Sequence, residues 1–441
     1  MAIPHSAAGQ QVAQQALSLP DAVNMALGKN PQRKAAAAEV ALASNQVRYA
    51  RTGYLPQVGF LEGVSRGNDP VYAFGTRLRQ QRFTSADFAL NALNRPTPVS
   101  DYSTRFTGNW ELFHSFQTVF ATDQAREMHQ AATQALGRAD QQIVFGVVAS
   151  YYGIALAQHK LETAQKALDT AHAMLQLSQR LVGAGMAVSS DVMAAQAYEA
   201  ARQQDVIQSQ ADLSIARTEL ETAMGQELSP DVVLTSTTSE AKFAPMSLDE
   251  ADKQALTQRP DWKQLLAQVQ ATKNGVRVAR SDFGPQLGVF GTWGLDSPHF
   301  TGGGGNNWVA GAEIHIDLFN AGKITGLDMA KIQATRMEAA KQSMQDQIRL
   351  QVRQAYYQHV AAEQMMQTAH SALAETEEDL RITRNRYDAG LATITDVLRA
   401  QDANRMGQMR YWQAVNSNAV SEAALELATG TLSPQSVVVT Q

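Results

Sequence analysis

The chain carries one structural plan twice, so any fold it adopts must be built from the same set of elements used two times over. Ser18-Leu19, Pro31, Lys34, Asn45, Val47-Arg48, Ala50-Arg51 and Pro56-Gln57-x-Gly59 recur at a constant offset as Ser247-Leu248, Pro260, Lys263, Asn274, Val276-Arg277, Ala279-Arg280 and Pro285-Gln286-x-Gly288. Further on, Tyr151-Tyr152, Gly185, Asp191-Val192, Gln196 and Gly225 recur, again at a fixed offset, as Tyr356-Tyr357, Gly390, Asp396-Val397, Gln401 and Gly430. The copies are expected to span 17–225 and 247–432, with a linker over 226–246 and a tail over 433–441.

Composition removes several classes of function. Charged residues make up 18% of the chain, below the roughly one quarter usual in soluble proteins. No basic blocks accompany them, which argues against nucleic acid as a partner. Cysteine is absent, which excludes disulfides, thiolate metal sites and cysteine nucleophiles. No apolar run approaches the ~18 residues of a membrane-spanning helix; Ile143 to Ala149 is the longest clear candidate. Met1 to Ala16 has neither the cationic start nor the apolar centre of a signal peptide. The expectation is a cytoplasmic protein or a chain that begins after a removed signal.

Each copy reads helix, helix, strand, strand, very long helix, helix. Pro31 and Pro260 fall where a second helix starts, a position at which proline's missing N–H costs nothing, and the second helices are expected to end at Pro56 and Pro285. The period then changes to two, which predicts strands over 56–65, 103–113, 285–295 and 307–318. In the last of these Trp308, Ala310, Ala312, Ile314, Ile316 and Leu318 alternate with Gly311, Glu313, His315 and Asp317. The first copy repeats the pattern with Phe106, Trp110 and Leu112 against Arg105, Thr107, Asn109 and Glu111, and Leu287, Val289, Trp293 and Leu295 share one face of the third strand.

Proline-free tracts from Gln117 to Leu181 and from Lys323 to Tyr387 follow, rich in helix-forming Ala, Gln, Leu, Met and Glu. Some 65 residues at 1.5 Å each make a helix roughly 100 Å long. Each tract ends at a glycine turn, around Gly185 or Gly390, and a returning helix follows from Ser190 to Met224 or from Thr395 to Ala428; Ser189 and Thr393 are placed to cap them. The residues 66–100 form an insertion between the first two strands, with one helix expected from the capping-box spacing of Thr84 and Asp87.

Four strands cannot close a barrel, but three chains would supply twelve, with the apolar face toward lipid and the polar face lining a pore. Strands of about ten residues suit a tilted bilayer crossing. On this reading Trp110, Trp293, Trp308, Ile314 and Ile316 meet lipid, and Arg105, Glu111, Glu313, His315 and Asp317 line the pore. The fold class is therefore mainly α with a small β part: tandem-duplicated antiparallel helical hairpins plus four amphipathic strands contributing to a twelve-stranded trimeric barrel. The rival is a soluble coiled-coil structural or adaptor protein, which would not need an apolar strand face ending in tryptophan.

The duplicated plan, Leu55-Pro56-Gln57, the strand exit Leu318-Phe319-Asn320-Ala321-Gly322 and the turn Tyr387-x-Ala389-Gly390-x5-Asp396-Val397-x3-Gln401 resemble the TolC-type outer-membrane factor family over residues 17 to 432. The resemblance implies a homotrimer with a barrel in the outer membrane and a periplasmic helical tunnel. It also implies partners, namely a periplasmic adaptor and an inner-membrane transporter of the RND, ABC or MFS type, serving efflux or type I secretion. Neither a cofactor nor a metal is expected, and no nucleophile–base set suggests an enzyme. His359 and Glu363 share a helix face without further ligands.

Asp191 and Asp396 are read in two ways, as first-turn carboxylates favoured by the helix dipole or, by the resemblance, as a ring narrowing the periplasmic mouth. Tyr387 and Arg399 belong to the same region, and Arg399 stands where relatives often carry a second acid. Gly185, Met186, Gly390 and Leu391 are either ordinary hairpin glycines with their neighbours or adaptor-docking tips, exposed apolar residues being marks of contact. The exits His114-Ser115-Phe116 and Asn320-Ala321-Gly322 are expected to differ in backbone if Gly322 takes a positive φ.

Overall fold

A computed structural model describes residues 16–228, 233–235 and 246–440. Most of the expected linker, 229–232 and 236–245, lies outside the described residues, as do 1–15 and 441. The elements run β1 (Ala16–Leu17), α1 (Leu19–Lys29), α2 (Pro31–Arg51), β2 (Gln57–Gly67), α3 (Pro70–Arg79), α4 (Leu90–Asn94), β3 (Val99–His114), α5 (Gln117–Gly183) and α6 (Ser189–Met224). They continue with β4 (Val233–Leu234), α7 (Leu248–Gln258), α8 (Pro260–Ser281), β5 (Gln286–Ser297), β6 (Gly305–His315), α9 (Ala321–Asp388), α10 (Ile394–Thr429) and α11 (Val437–Thr440). No helix among the described residues is long and apolar enough to cross a membrane.

Contacts group the chain into two compact units, and each takes residues from both copies. The first comprises 1–40, 132–265 and 342–441. Its core gathers Leu19, Val23 and Ala26 of α1, Val144, Val147, Val148 and Tyr151 of α5, Leu220 and Met224 of α6, and Ala419 and Ala423 of α10. The apolar run from Ile143 is thus the buried stripe of a core helix. The duplication is legible in single bonds. Gly225 and Gly430 both end a returning helix in the left-handed conformation, φ 69° and 82°, and both press on the residue before a helix-starting proline, Asn30 and Arg259. Asn30 Nδ2 donates to the Ala223 carbonyl at 2.8 Å; Arg259 Nη1 donates to the equivalent Ala428 carbonyl at 3.2 Å. Different donors satisfy the same orphan helix-end acceptor.

The second unit, 41–131 and 266–341, holds an antiparallel sheet of order β2-β3-β5-β6. Several boundaries differ from expectation. α2 and α8 stop at Arg51 and Ser281, short of the prolines; α2 gives way to a 3-10 turn over Thr52–Tyr54, and Leu55, the residue before Pro56, is extended at φ −103° and ψ 147°. β3 begins at Val99, and 68–98 holds α3, a 3-10 turn over Ser85–Phe88 and α4 rather than one helix. The capping box of Thr84 and Asp87 opens that 3-10 turn. The exits into the long helices do differ, but the left-handed residues are Ser115 and Phe116, φ 43° and 65°, and not Gly322. Ser115 Oγ holds this turn by donating to the Pro285 carbonyl at 2.7 Å.

Candidate functional site

Register settles which side chains share a face of the sheet. Phe60 pairs with Phe106, Phe106 with Trp293 and Trp293 with Trp308, and the Phe60–Phe106 and Phe106–Trp293 rings lie 5.1 Å and 6.0 Å apart. Trp110 with Val289 and Leu287 with Ile314 continue this face. Trp308 and Ile314 are 76% and 72% exposed, so nothing among the described residues covers that end of the apolar row. Arg105, Glu111, Glu313 and His315 lie on the opposite face, opposite Gly294, Gly288, Gly288 and Gln286 respectively. Leu61, Phe290 and Val309 interrupt that polar face, and Glu62 interrupts the apolar one.

The assigned pattern changes at Leu112 and over 316–318. The ladder slips between Glu111 and Phe113, so Phe113 rather than Leu112 meets Leu287 on the apolar face; a one-residue bulge flips the alternation. β6 ends at His315, which places Ile316, Asp317 and Leu318 past the strand. The ladder stops where its partner strand reaches Pro285, which has no N–H to offer, and Asp317 instead pairs with Lys323 in the first turn of α9, Nζ–Oδ2 2.5 Å, with His315 Nε2 3.3 Å from its other oxygen. The edge strands β2 and β6 each have one free side. An unpaired edge that is apolar on one face is a template for another chain.

The hairpin tips lie in the other unit. Gly185 and Gly390 adopt φ 73° and 72°, a conformation that spares only glycine a steric cost. Met186 N–H donates to Leu181 O and Leu391 N–H to Arg386 O, both at 2.8 Å. The same motif therefore closes both long helices, and it throws Met186 and Leu391 outward, 72% and 69% exposed.

Beyond the tips the copies diverge. Thr393 caps α10 in a reciprocal box: its N–H and Oγ donate to Asp396 Oδ2 at 2.9 and 2.7 Å, and Asp396 N–H returns to Oγ at 3.2 Å. These bonds hold the Asp396 carboxyl below the usual carboxylate range, with Arg399 and Arg386 adding to the effect. α6 starts instead at Val188 with no side-chain cap, and Ser189 is its first helical residue. A hydroxyl one residue inside the helix cannot reach the orphan N–H groups that an N-cap serves. The Asp191 carboxylate is left to act on Tyr387, whose hydroxyl pKa is raised first by burial, then by Asp191 and Asp388. Charge thus links Asp191 to Tyr387, and Arg399 to Asp396.

Sequence reading missed a charge cluster between the returning helices. Arg202 Nη1 lies 3.1 Å from Asp402 and from Asp205, and Arg405 lies 3.4 Å from Asp402 and 3.7 Å from Asp205. Arg202 also stacks over the Tyr198 ring at 4.8 Å. Each helix shows only an i,i+3 pair in sequence, so the cross-helix bonds had no local signal. His359, weighed as a ligand, is buried with Nδ1 3.2 Å from Ser421 Oγ.

The model of the family described as outer membrane efflux protein matches residues 22–226 and 252–431. The chain is 24% identical over 437 residues to the alkaline protease secretion protein AprF of Pseudomonas aeruginosa, covering 93% of this chain and 86% of that one. It is 26% identical over 297 residues to the probable efflux pump outer membrane protein TtgC of Pseudomonas putida, covering 64% and 58%. The Campylobacter jejuni CmeC outer membrane channel superposes with a TM-score of 0.79 at 17% identity over 95% of this chain and 87% of that one, a likeness of fold.

Proposed function

Because the chain belongs to the outer membrane efflux protein family, we propose that three copies join their free β2 and β6 edges into a twelve-stranded barrel that serves as an outer-membrane exit duct. The observation that carries this reading is the sheet itself. Its row of Phe60, Phe106, Trp293, Trp308 and Ile314 stays exposed, and among the described residues no strand pairs with either edge. Closure through symmetry satisfies every edge N–H and C=O and hands the apolar row to lipid. The opposite face then lines water.

The copies over 17–225 and 247–432 supply the paired hairpins of a periplasmic tunnel, whose tips Gly185-Met186 and Gly390-Leu391 dock a periplasmic adaptor bound to an inner-membrane transporter. Asp191, Tyr387, Asp396 and Arg399 form the mouth of that tunnel. Conduction needs no catalytic residue and no cofactor. AprF is named for protease secretion and TtgC for an efflux pump, so the cargo is either protein or small molecule. The test is reconstitution in planar bilayers: discrete single-channel steps are expected, and a folded protein that inserts yet gives no steps overturns the reading.

A further inference from the structure

The insertion between β2 and β3 lies on the polar face of the sheet, at the strand ends farthest from the long helices. Every strand side chain that anchors it lies on that one face. Tyr72 of α3 bonds Ser65 of β2 through its hydroxyl at 2.8 Å. Gln80, the residue closing α3, donates to Ser100 O at 2.8 Å and to Asp101 Oδ1 at 3.0 Å on β3. Arg79 Nε lies 3.6 Å from Asp296 of β5. At β6, Asn307 Nδ2 donates to Arg79 O at 3.0 Å and Gln81 Nε2 to Asn306 O at 3.3 Å. Ser65 opposes Asp101, Ser103 opposes Asp296, and Asp296 opposes Gly305, so Ser65, Asp101, Asp296, Gly305 and Asn307 share the face that carries Arg105 and Glu313. α3 therefore crosses all four strands on the side away from Trp293 and Trp308.

The contact is close and dry. Gln80, Asp101 and Asp296 are 2%, 3% and 1% exposed. A Cβ built on Gly305 would meet Arg79 O at 2.1 Å and Gln81 Cγ at 2.7 Å, so glycine is required there for α3 to seat. The segment also has its own small core: Phe83 packs edge-on against Phe74 at 4.7 Å and Phe88 at 5.0 Å, and Arg77 pairs with Asp87 and Thr97. It is built to keep its shape while its attachment to the strands is polar.

We propose that residues 70–96 form an inward-folded cap that narrows the outer mouth of the pore, so that large cargo leaves only when the cap lifts off β6. A segment on the lipid side or beyond the barrel rim would leave the mouth open; this one lies across the face that lines it. The proposal rests on the pore reading above, because only a barrel makes the polar face a lumen. Three symmetry copies place three caps around one axis. The second hairpin has no counterpart, since only a short glycine-rich turn joins β5 to β6.

Two variants and two readouts test it. Gly67 and Val99 are register partners, so replacing 68–98 with an Asn-Gly turn closes the β2–β3 hairpin directly. Gly305→Ala keeps the whole chain and drives the cap off β6. Single-channel conductance is expected to rise several-fold in the turn variant and to fluctuate between a parental and a larger level in Gly305→Ala. The absence of natural cysteines makes Ser103→Cys, under the cap on the polar face, a clean second probe. A bulky membrane-impermeant thiol reagent added to intact cells should label it several-fold faster in both uncapped backgrounds. Channels that form normally but show parental conductance and parental labelling in both variants overturn the cap while leaving the pore reading intact. Loss of channels in the parent overturns the pore reading instead.

Discussion

Arg202 of α6 and Asp402 of α10 are joined at 3.1 Å, Nη1 to Oδ1, although the copies to which they belong are aligned by other residues altogether. Arg202 is 8% exposed, so losing Asp402 leaves a largely desolvated guanidinium with Asp205 as its remaining ion-pair partner. Removing one member of such a pair costs about 1–3 kcal/mol. Arg202→Ala and Asp402→Ala should each lower the unfolding temperature of the detergent-solubilised protein. Their double mutant should lose less than the sum, a coupling of about 0.5–3 kcal/mol. Strict additivity would show that the two side chains are neighbours without mutual stabilisation.

Glu422 gives the fold a pH dependence. It is 1% exposed, neither carboxyl oxygen has a hydrogen-bond partner among the described residues, and burial, with Glu426 adding to it, pushes its pKa from 4.5 up to about 7. A folded-state pKa above the unfolded one means that folding favours the protonated form. Stability from this residue is then fully present below pH 4.5, falls as pH rises toward 7 and is flat beyond. Glu422→Gln should match the parent at pH 4.5 and melt at a higher temperature at pH 8. A parent that gains stability across this window relative to the variant would reverse the sign.

The sheet faces make a paired expectation. Arginine at Ile314, on the exposed apolar row, should cost about 2–4 kcal/mol and impair assembly if that row faces lipid. Arginine at Glu313, one residue away on the polar face, should change conductance and leave assembly intact. Equal loss from both would mean that neither face meets lipid.

At the tunnel mouth, charge should tune block by multivalent cations. Asp396→Ala is expected to weaken block from the periplasmic side in single-channel recordings and Arg399→Ala to strengthen it, since Arg399 offsets the Asp396 charge. Unchanged block in both, with normal conduction, would leave Asp396 as a capping residue of α10 alone.

Much of this was legible in the chain because local rules and global fold agree. Gly185 and Gly390 mark left-handed helix ends that few other residues tolerate, Thr393 marks the cap of a returning helix, and the alternation through Trp308 and Ile314 names a strand and its faces. What escaped depends on partners far away in sequence. Alternation carried β6 on to Leu318 because it contains nothing about its partner strand, whose ladder ends at Gln286 beside Pro285. The same reading put Leu112 on the apolar row, where a bulge substitutes Phe113. The 66–100 segment was visible as an insertion, but its side of the sheet is decided by contacts such as Gln80 with the Asp101 side chain, which no local pattern encodes.

The most direct measure of the account is the mass of the purified protein in detergent, by light scattering with the micelle subtracted. One chain is 47.9 kDa, and the shared barrel requires a monodisperse particle of three chains that is not stable without detergent. A monodisperse single chain in detergent-free buffer would contradict it, because four open-edged strands with an apolar face cannot make a pore alone.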